Sequence, residues 1–369
     1  STLFPYTTLF RSKQYKRGSL IYDKIHDSYR AFIMINGKRY SKRFKKKDDA
    51  MDWMSRQKIA ERDGNFVEPS DMLVGQWLLY FLSIYKKDTV RASTYERYLY
   101  LAAKIEPISK ISLQSCTVSH VQELLNSLTP DCSRKVHVLL HAAFQQAVDL
   151  SIIQKNIVRL AKAKKIVRDE PGIFDKNEIN KILSYAKDKI SAFYPIFLLA
   201  AHTGMRRGEV LGLRWKDVNL KNGTVIIRQQ LQRVGSEITF QPPKTKSGKR
   251  KISIPATVTA ALQELRNNEK TIDIKQETLV FRNANNNPIR PEALERAWKK
   301  AITQCELPYR NFHCLRHTHA TLLLSAGIPI IEVSRRLGHA RVSHTLDLYG
   351  HAIPSYDERI IEKINQIYG

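Results

Sequence analysis

The stretch Leu337-Gly338-His339-Ala340-Arg341-Val342-Ser343-His344-Thr345-Leu346-Asp347-Leu348-Tyr349-Gly350-His351 sets a tyrosine ten residues after a histidine that follows a Leu-Gly turn. Three further stretches lie upstream, in chain order. They are Thr203-Gly204-Met205-Arg206-Arg207-Gly208-Glu209, the basic hairpin Pro243-Lys244-Thr245-Lys246, and His313-Cys314-Leu315-Arg316. Two arginines, a lysine, two histidines and a tyrosine form a set suited to metal-free phosphoryl transfer on a phosphodiester. The negative charge of a phosphodiester grows in the transition state, and fixed guanidinium and imidazole donors can hold it.

Working outward, 369 residues suffice for two or three domains, and 43% apolar content is ordinary for a globular chain. The formal net charge of +26 predicts an anionic polymer or surface as partner. A membrane is the weaker choice, because apolar runs such as Tyr194 to Ala201 are too short to span one. Leu3 to Phe10 is interrupted by polar residues and lacks a basic start, so no secretory signal is read there. Cys116, Cys132, Cys305 and Cys314 show no paired spacing, which favours a reducing cytosol over a disulfide framework. Residues 1–12 join no pattern and are set aside as an extraneous tail.

The remainder divides into three blocks of an α+β, multidomain chain. Residues 13–65 read as strand, strand, strand, helix: Gly18 to Tyr22, Tyr29 to Ile35, an Asn36-Gly37 hairpin turn, then Lys38 to Phe44. Asp48 is expected to cap a helix whose Trp53 packs on the sheet. Between Lys38 and Lys47 there are seven basic residues and no acid. A solvated strand face explains three or four such residues; seven on a small sheet favour DNA, with Lys38, Arg39, Lys42, Arg43, Lys45 and Lys46 as contacts. Residues 71–163 are helical throughout, with Ser93 and Ser133 expected at helix starts and Val118 to Leu125 as another helix. Residues 173–369 alternate helices with one small sheet formed by Thr224 to Ile227, Ile238 to Phe240 and Lys251 to Ile254. Asp175 and Glu178 read as a capping box.

Within the third block, Arg206 and Glu209 lie one helical turn apart and face the same way. Taken alone they would be an ordinary surface ion pair. His313 and Arg316, at the same spacing, share a helix face that can reach one phosphate. Six of eleven histidines fall between His313 and His351, a density that invites a zinc reading. No Cys-x-x-Cys or His-Glu-x-x-His spacing supports it, so no metal and no cofactor is expected. Tyr349 is one of sixteen tyrosines; its position, not its type, singles it out. A phenol with a pKa near 10 is a weak nucleophile and needs cationic neighbours and a general base. The apolar Ile360, Ile361, Ile364 and Ile367 predict a C-terminal amphipathic helix.

The order of these motifs resembles the tyrosine recombinases, in particular the integrases of phages and conjugative transposons. That resemblance runs from Lys13 to the end and is most specific between Thr203 and His351. It implies an arm-type DNA-binding domain at 13–65, a core-type DNA-binding domain at 71–163 and a catalytic domain at 173–369. It implies that Arg206 and Arg316 hold the scissile phosphate and that Glu209 supports the site's geometry. Lys244, with Lys246 next in the same loop, would protonate the leaving 5′ oxygen. His313 would assist proton transfer and His339 donate to a phosphate oxygen. Tyr349 would attack to give a 3′-phosphotyrosyl link that stores the bond energy for religation. Cys314 departs from the acidic or small polar residue usual after the first histidine. The implied activity is integration and excision of a mobile element in the cytoplasm of a bacterial host. Its partners would be double-stranded DNA with core and arm sites, three further copies in a homotetramer, and an excisionase or DNA-bending helper. A type IB topoisomerase shares this catalytic set, and a DNA-binding protein with a decayed site is the non-enzymatic alternative.

Overall fold

In the computed structural model, residues 18–64, 66–166, 172–243, 245–268, 277–350 and 357–368 are described. Residues 1–12, expected from the sequence to be an extraneous tail, and Lys244 lie outside these residues. The chain divides into two units, residues 1–166 and 167–369.

The first unit begins with a meander of β1 (Ser19–Asp23), β2 (Ser28–Ile35) and β3 (Lys38–Phe44), in the order β1-β2-β3. The tight β2–β3 turn uses Asn36 and Gly37, both at positive φ, as an Asn-Gly turn requires. Helix α1 (Lys47–Arg62) covers one face, where Ala31, Ile33 and Ile35 are buried and Phe44 meets Trp53 at 5.8 Å. Asp48 lies in the first turn of α1, not at its cap; Lys46 occupies the cap position. An acid there still complements the helix dipole.

Pairing register sorts the basic run of β3. Arg43 pairs with Arg30, Ser41 with Phe32 and Arg39 with Met34, so these residues occupy the face opposite α1. Lys38 and Lys42, paired with Ile35 and Ala31, are on the α1 side. Period-2 alternation thus gathers Arg30, Arg39 and Arg43 on one open, exposed face.

Helices α2 (Val74–Phe81), α3 (Ala92–Ala103), α4 (Glu106–Ser109), α5 (Val118–Ser127) and α6 (Pro130–Asp149) complete the unit. Their core gathers Trp77, Phe81, Leu101, Leu124, Leu140 and Phe144, and Trp77 Nε1 donates to the Ala143 carbonyl at 2.8 Å. Neither serine expected at a helix start caps one. Arg91 occupies the N-cap position of α3 without a side-chain bond, and α6 begins at Pro130 after Thr129, because proline's fixed φ suits a first helical position. Ser133 is instead buried and accepts from the Lys164 amide.

The second unit comprises α7 (Lys176–Lys189), α8 (Tyr194–Thr203), α9 (Arg207–Leu211), β4 (Val218–Asn219), β5 (Thr224–Ile227), β6 (Gln230–Val234), β7 (Glu237–Gln241) and β8 (Arg250–Ser253). It continues with α10 (Ala256–Asn267), α11 (Pro291–Gln304), α12 (Cys314–Ser325), α13 (Ile330–Leu337), α14 (Val342–Tyr349) and α15 (Asp357–Tyr368). The Asp175–Glu178 capping box at the start of α7 forms in both directions. The expected single sheet is two: β4-β5-β8, and a separate β6-β7 hairpin. Gly235, at φ 59°, turns that hairpin, and β8 returns to β5 instead of extending it.

Trp298 of α11 centres the core. Phe197, Phe312 and Phe174 stand edge-on to it, with ring centroids 5.0, 5.4 and 5.8 Å away. Its indole N–H donates to the Arg310 carbonyl at 2.8 Å, so the one polar atom is satisfied. Phe312 immediately precedes His313, and this packing therefore fixes where α12 begins. Trp298→Ala should lower unfolding free energy by about 3–5 kcal/mol in chemical denaturation. A loss below about 1 kcal/mol would show that the cluster is not the keystone of this core.

Candidate active site

Helix α8 ends at Gly204, whose φ of 64° places it in the left-handed region. A Cβ there would lie 2.8 Å from both His319 and Leu337 side chains, so glycine is required for space as well as conformation. The chain then turns, and Arg206 stands at the N-cap of α9 with Glu209 on its first turn.

Glu209 is 2% exposed and fully paired. One carboxylate oxygen accepts from Arg206 Nη1 at 2.9 Å and from Arg250 Nη1 at 3.2 Å. The other accepts from the Arg206 amide at 2.9 Å and from Arg250 Nη2 at 2.9 Å. Burial alone would raise its pKa, but the bonds and charge of Arg250, followed by Arg206, bring it below the usual carboxylate range. Glu209 is therefore an anion at neutral pH.

Arg250 was not singled out from sequence, lost among Lys246, Lys249 and Lys251. The alternation of β8 carried the signal, since Arg250 and Ile252 are its two buried positions. Its Nε donates to the Arg336 carbonyl at 2.6 Å and Nη1 to the Gly248 carbonyl at 3.2 Å. One guanidinium thus joins the base of the β7–β8 loop, the Glu209 carboxylate and the end of α13.

Arg316, on α12, is buried at 3% exposure. Its Nη1 donates to the Gly204 carbonyl and Nη2 to the Leu337 carbonyl, each at 2.8 Å. Both acceptors lie at helix C-termini, α8 and α13, where carbonyls lack intrahelical partners and the dipole favours a cation. Burial and then Arg206 push its pKa down to about 9, which still leaves it charged at neutral pH. Three guanidinium ions around one carboxylate leave two positive charges unbalanced.

Gly338, at φ 69°, ends α13 and delivers His339. His339 Nδ1 bonds the Thr345 hydroxyl of α14 at 2.7 Å, and its ring packs edge-on to His344 at 4.7 Å. Burial, then Arg316, pushes its pKa down to about 3, so its imidazole is neutral. Arg206, His339, Arg207, Arg233, Arg341 and His344 help line an open cavity of about 880 Å³.

His313 stands at the N-cap position of α12 without a capping side-chain bond, and its ring is edge-on to His317 at 5.0 Å. Tyr349, the last residue of α14, is 2% exposed. Its hydroxyl bonds His317 Nδ1 at 2.8 Å. Burial raises the phenol's pKa, while Arg316 and Arg206 act in the opposite direction. His317 is a second residue that the sequence reading passed over, although its place four residues after His313 put it on the same helical face.

The remaining histidine of α12 has another role. His319 Nε2 accepts from Arg336 Nε at 3.0 Å, so Nδ1 carries the proton and donates to the Ala201 carbonyl. Among the described residues, no group of three or more His, Cys, Asp or Glu side chains converges as a metal site.

Residues 173–355 match the phage integrase family. A XerC-like tyrosine recombinase of Caldanaerobacter subterraneus subsp. tengcongensis is 30% identical over 290 residues, 72% of this chain and 73% of the relative. The chain belongs to the phage integrase family of tyrosine recombinases. The ICEBs1 integrase of Bacillus subtilis is 25% identical over 266 residues, 70% of this chain and 72% of that one. The Tn1549 transposon integrase in complex with transposon right end DNA has a TM-score of 0.67 and 25% identity, covering 80% of this chain and 99% of that one. A lambda integrase tetramer bound to a Holliday junction shares the fold at TM-score 0.61 and 16% identity, covering 94% and 98%. This recombinase is thus an enzyme of site-specific DNA recombination, of the kind carried by mobile elements. Among the described residues, no helix is long and apolar enough to cross a membrane.

Arg250→Leu removes two of the four hydrogen bonds to the Glu209 carboxylate. It should cost about 3–5 kcal/mol of stability, as breaking one side of a buried ion pair does. Urea denaturation of the full chain measures this, and a change below about 1 kcal/mol would mean Glu209 does not depend on Arg250.

Proposed function

We propose that Arg206, Arg316 and His339 hold the scissile phosphate of duplex DNA while Tyr349 attacks it. The supporting observation is the Glu209 cluster, which sets Arg206 on the wall of the open cavity with excess positive charge around it. A phosphodiester entering there meets guanidinium donors already oriented, so little reorganisation is needed as charge develops. If His339 Nδ1 accepts from Thr345, its other nitrogen carries the proton and can donate to a phosphate oxygen. Attack by the Tyr349 oxygen forms a 3′-phosphotyrosyl bond and releases the 5′ oxygen, which takes a proton from Lys244 or Lys246 of the β7–β8 loop. His313 lies beside this set and assists proton transfer.

On this reading residues 13–65 bind arm-type sites, residues 71–163 bind core-type sites and residues 173–369 carry the chemistry. The open face of β2 and β3 suits the first role, because Arg30, Arg39 and Arg43 flank Phe32 and Met34 on an exposed surface. A small sheet of this size fits a major groove. Lys45, Lys46 and Lys246 add phosphate contacts. The assembly is a homotetramer on DNA, directed by an excisionase or bending helper in the cytoplasm of a bacterial host.

Two experiments bear on this. Wild type should form a covalent adduct with a nicked suicide substrate in EDTA, visible on a denaturing gel, and Tyr349→Phe should bind the same DNA yet form none. An adduct from Tyr349→Phe would move the nucleophile elsewhere. Arg39→Ala should weaken arm-site binding and reduce the slope of log affinity against log salt by about 1. Lys38→Ala, paired with Glu68 on the other face, should change it little. Equal effects would exclude the open face as the DNA-reading surface.

A further inference from the structure

We infer that His317 is the base that receives the proton of Tyr349 during strand cleavage and returns it during religation. The inference rests on Tyr349 as nucleophile. The Tyr349 hydroxyl lies 2.8 Å from His317 Nδ1, within the reach a general base needs. The two rings sit 5.5 Å apart, and both residues are drawn from elements fixed elsewhere: α12 through Arg316, and α14 through the His339–Thr345 bond.

The groups facing this pair come from three elements. From α12 come Arg316, His313 and Cys314; from α14, Tyr349 itself; and Arg206 acts across the site from the start of α9. Burial, then Arg316, lowers the pKa of His317, which keeps the imidazole neutral at neutral pH. The phenol is protonated there, its pKa being raised by burial. A neutral imidazole beside a protonated phenol is the pair that Oη–H donating to Nδ1 requires. With Nδ1 as acceptor, the ring proton resides on Nε2.

The step balances without a further reactant. As the Oη–phosphorus bond forms, the Oη proton passes to Nδ1; the phosphorus–O5′ bond breaks and the 5′ oxygen takes a proton from the separate general acid. An imidazolium beside Arg316 would be unfavourable alone, but the phosphodiester brings its negative charge into the same space. Religation runs the sequence backwards, with Nδ1–H protonating the departing phenolate. His313 lies one turn away with its ring edge-on to His317 at 5.0 Å, and its assistance to proton transfer acts through that base.

The test measures the single-turnover rate of adduct formation by the full chain on the suicide substrate. His317→Asn places a carboxamide where Nδ1 lies, keeping a hydrogen-bond partner for Tyr349 that cannot take a proton; His317→Gln is the second variant. DNA affinity should stay near wild type while the rate falls about 10²-fold or more. Incorporating a fluorinated, more acidic tyrosine at position 349 should shrink that loss to below about tenfold, because an acidic phenol needs less help from a base. A purely structural role would give the same loss with either phenol, and that result would overturn the inference. So would a rate within about threefold of wild type, or above it, which would make the contact neutral or a restraint. Loss of DNA binding by both variants would assign His317 to the fold and equally overturn it. An adduct in Tyr349→Phe would instead overturn the nucleophile assignment, whatever the His317 variants do.

Discussion

A single buried carboxylate organises the second unit. Glu209 cannot reside in the interior without partners, and the four hydrogen bonds it accepts come from Arg206 and Arg250. Each of those arginines is thereby committed to a place. Arg206 is held on the cavity wall with its side chain 37% exposed. Arg250 is drawn into the interior, where its remaining donors satisfy the Gly248 and Arg336 carbonyls. The ion pair is not simply a source of stability, since desolvation offsets much of the attraction in such pairs. Its consequence is geometric: three distant segments must meet for any of these charges to be satisfied.

The same logic extends to Arg316. It is satisfied by carbonyls that two helices leave unpaired at their ends, and both helices end in glycines at left-handed φ. At Gly338 a Cβ would lie 2.8 Å from Arg250 Nη1 and from the Ser247 carbonyl. Thus the turn that delivers His339 is packed against the guanidinium that anchors Glu209. The cation-rich site and the two glycine turns are mutually dependent, and altering either disturbs the other.

Much of this was legible in one dimension. The Asn-Gly hairpin, the Asp175–Glu178 capping box, the helical middle block and the helix face shared by His313 and Arg316 are local events governed by neighbours within four residues. Caps were less legible. Asp48, Ser93 and Ser133 each had a suitable side chain, but Lys46, Arg91 and Thr129 took the positions, because proline placement and tertiary packing outweigh an individual preference. The division of one expected sheet into two was also out of reach. Whether β8 pairs with β5 or β7 is a long-range choice that strand propensity does not encode.

What the sequence by itself determined was the identity and order of the chemical groups: Arg206, the lysine-bearing loop, His313, Arg316, His339 and Tyr349, together with a charge that calls for an anionic polymer. These follow from the order of the motifs and its resemblance to the tyrosine recombinases, since residue type alone singles out none of them. Only the tertiary structure decided that Arg250 is a buried partner of Glu209, that Arg30 joins Arg39 and Arg43 on one face, and that His317 holds the Tyr349 hydroxyl. Arg250 and Glu209 are 41 residues apart, and His317 and Tyr349 are 32 apart. Contacts at such separations are set by how the core closes around Trp298 and by which buried charges must find partners, and no local pattern records them.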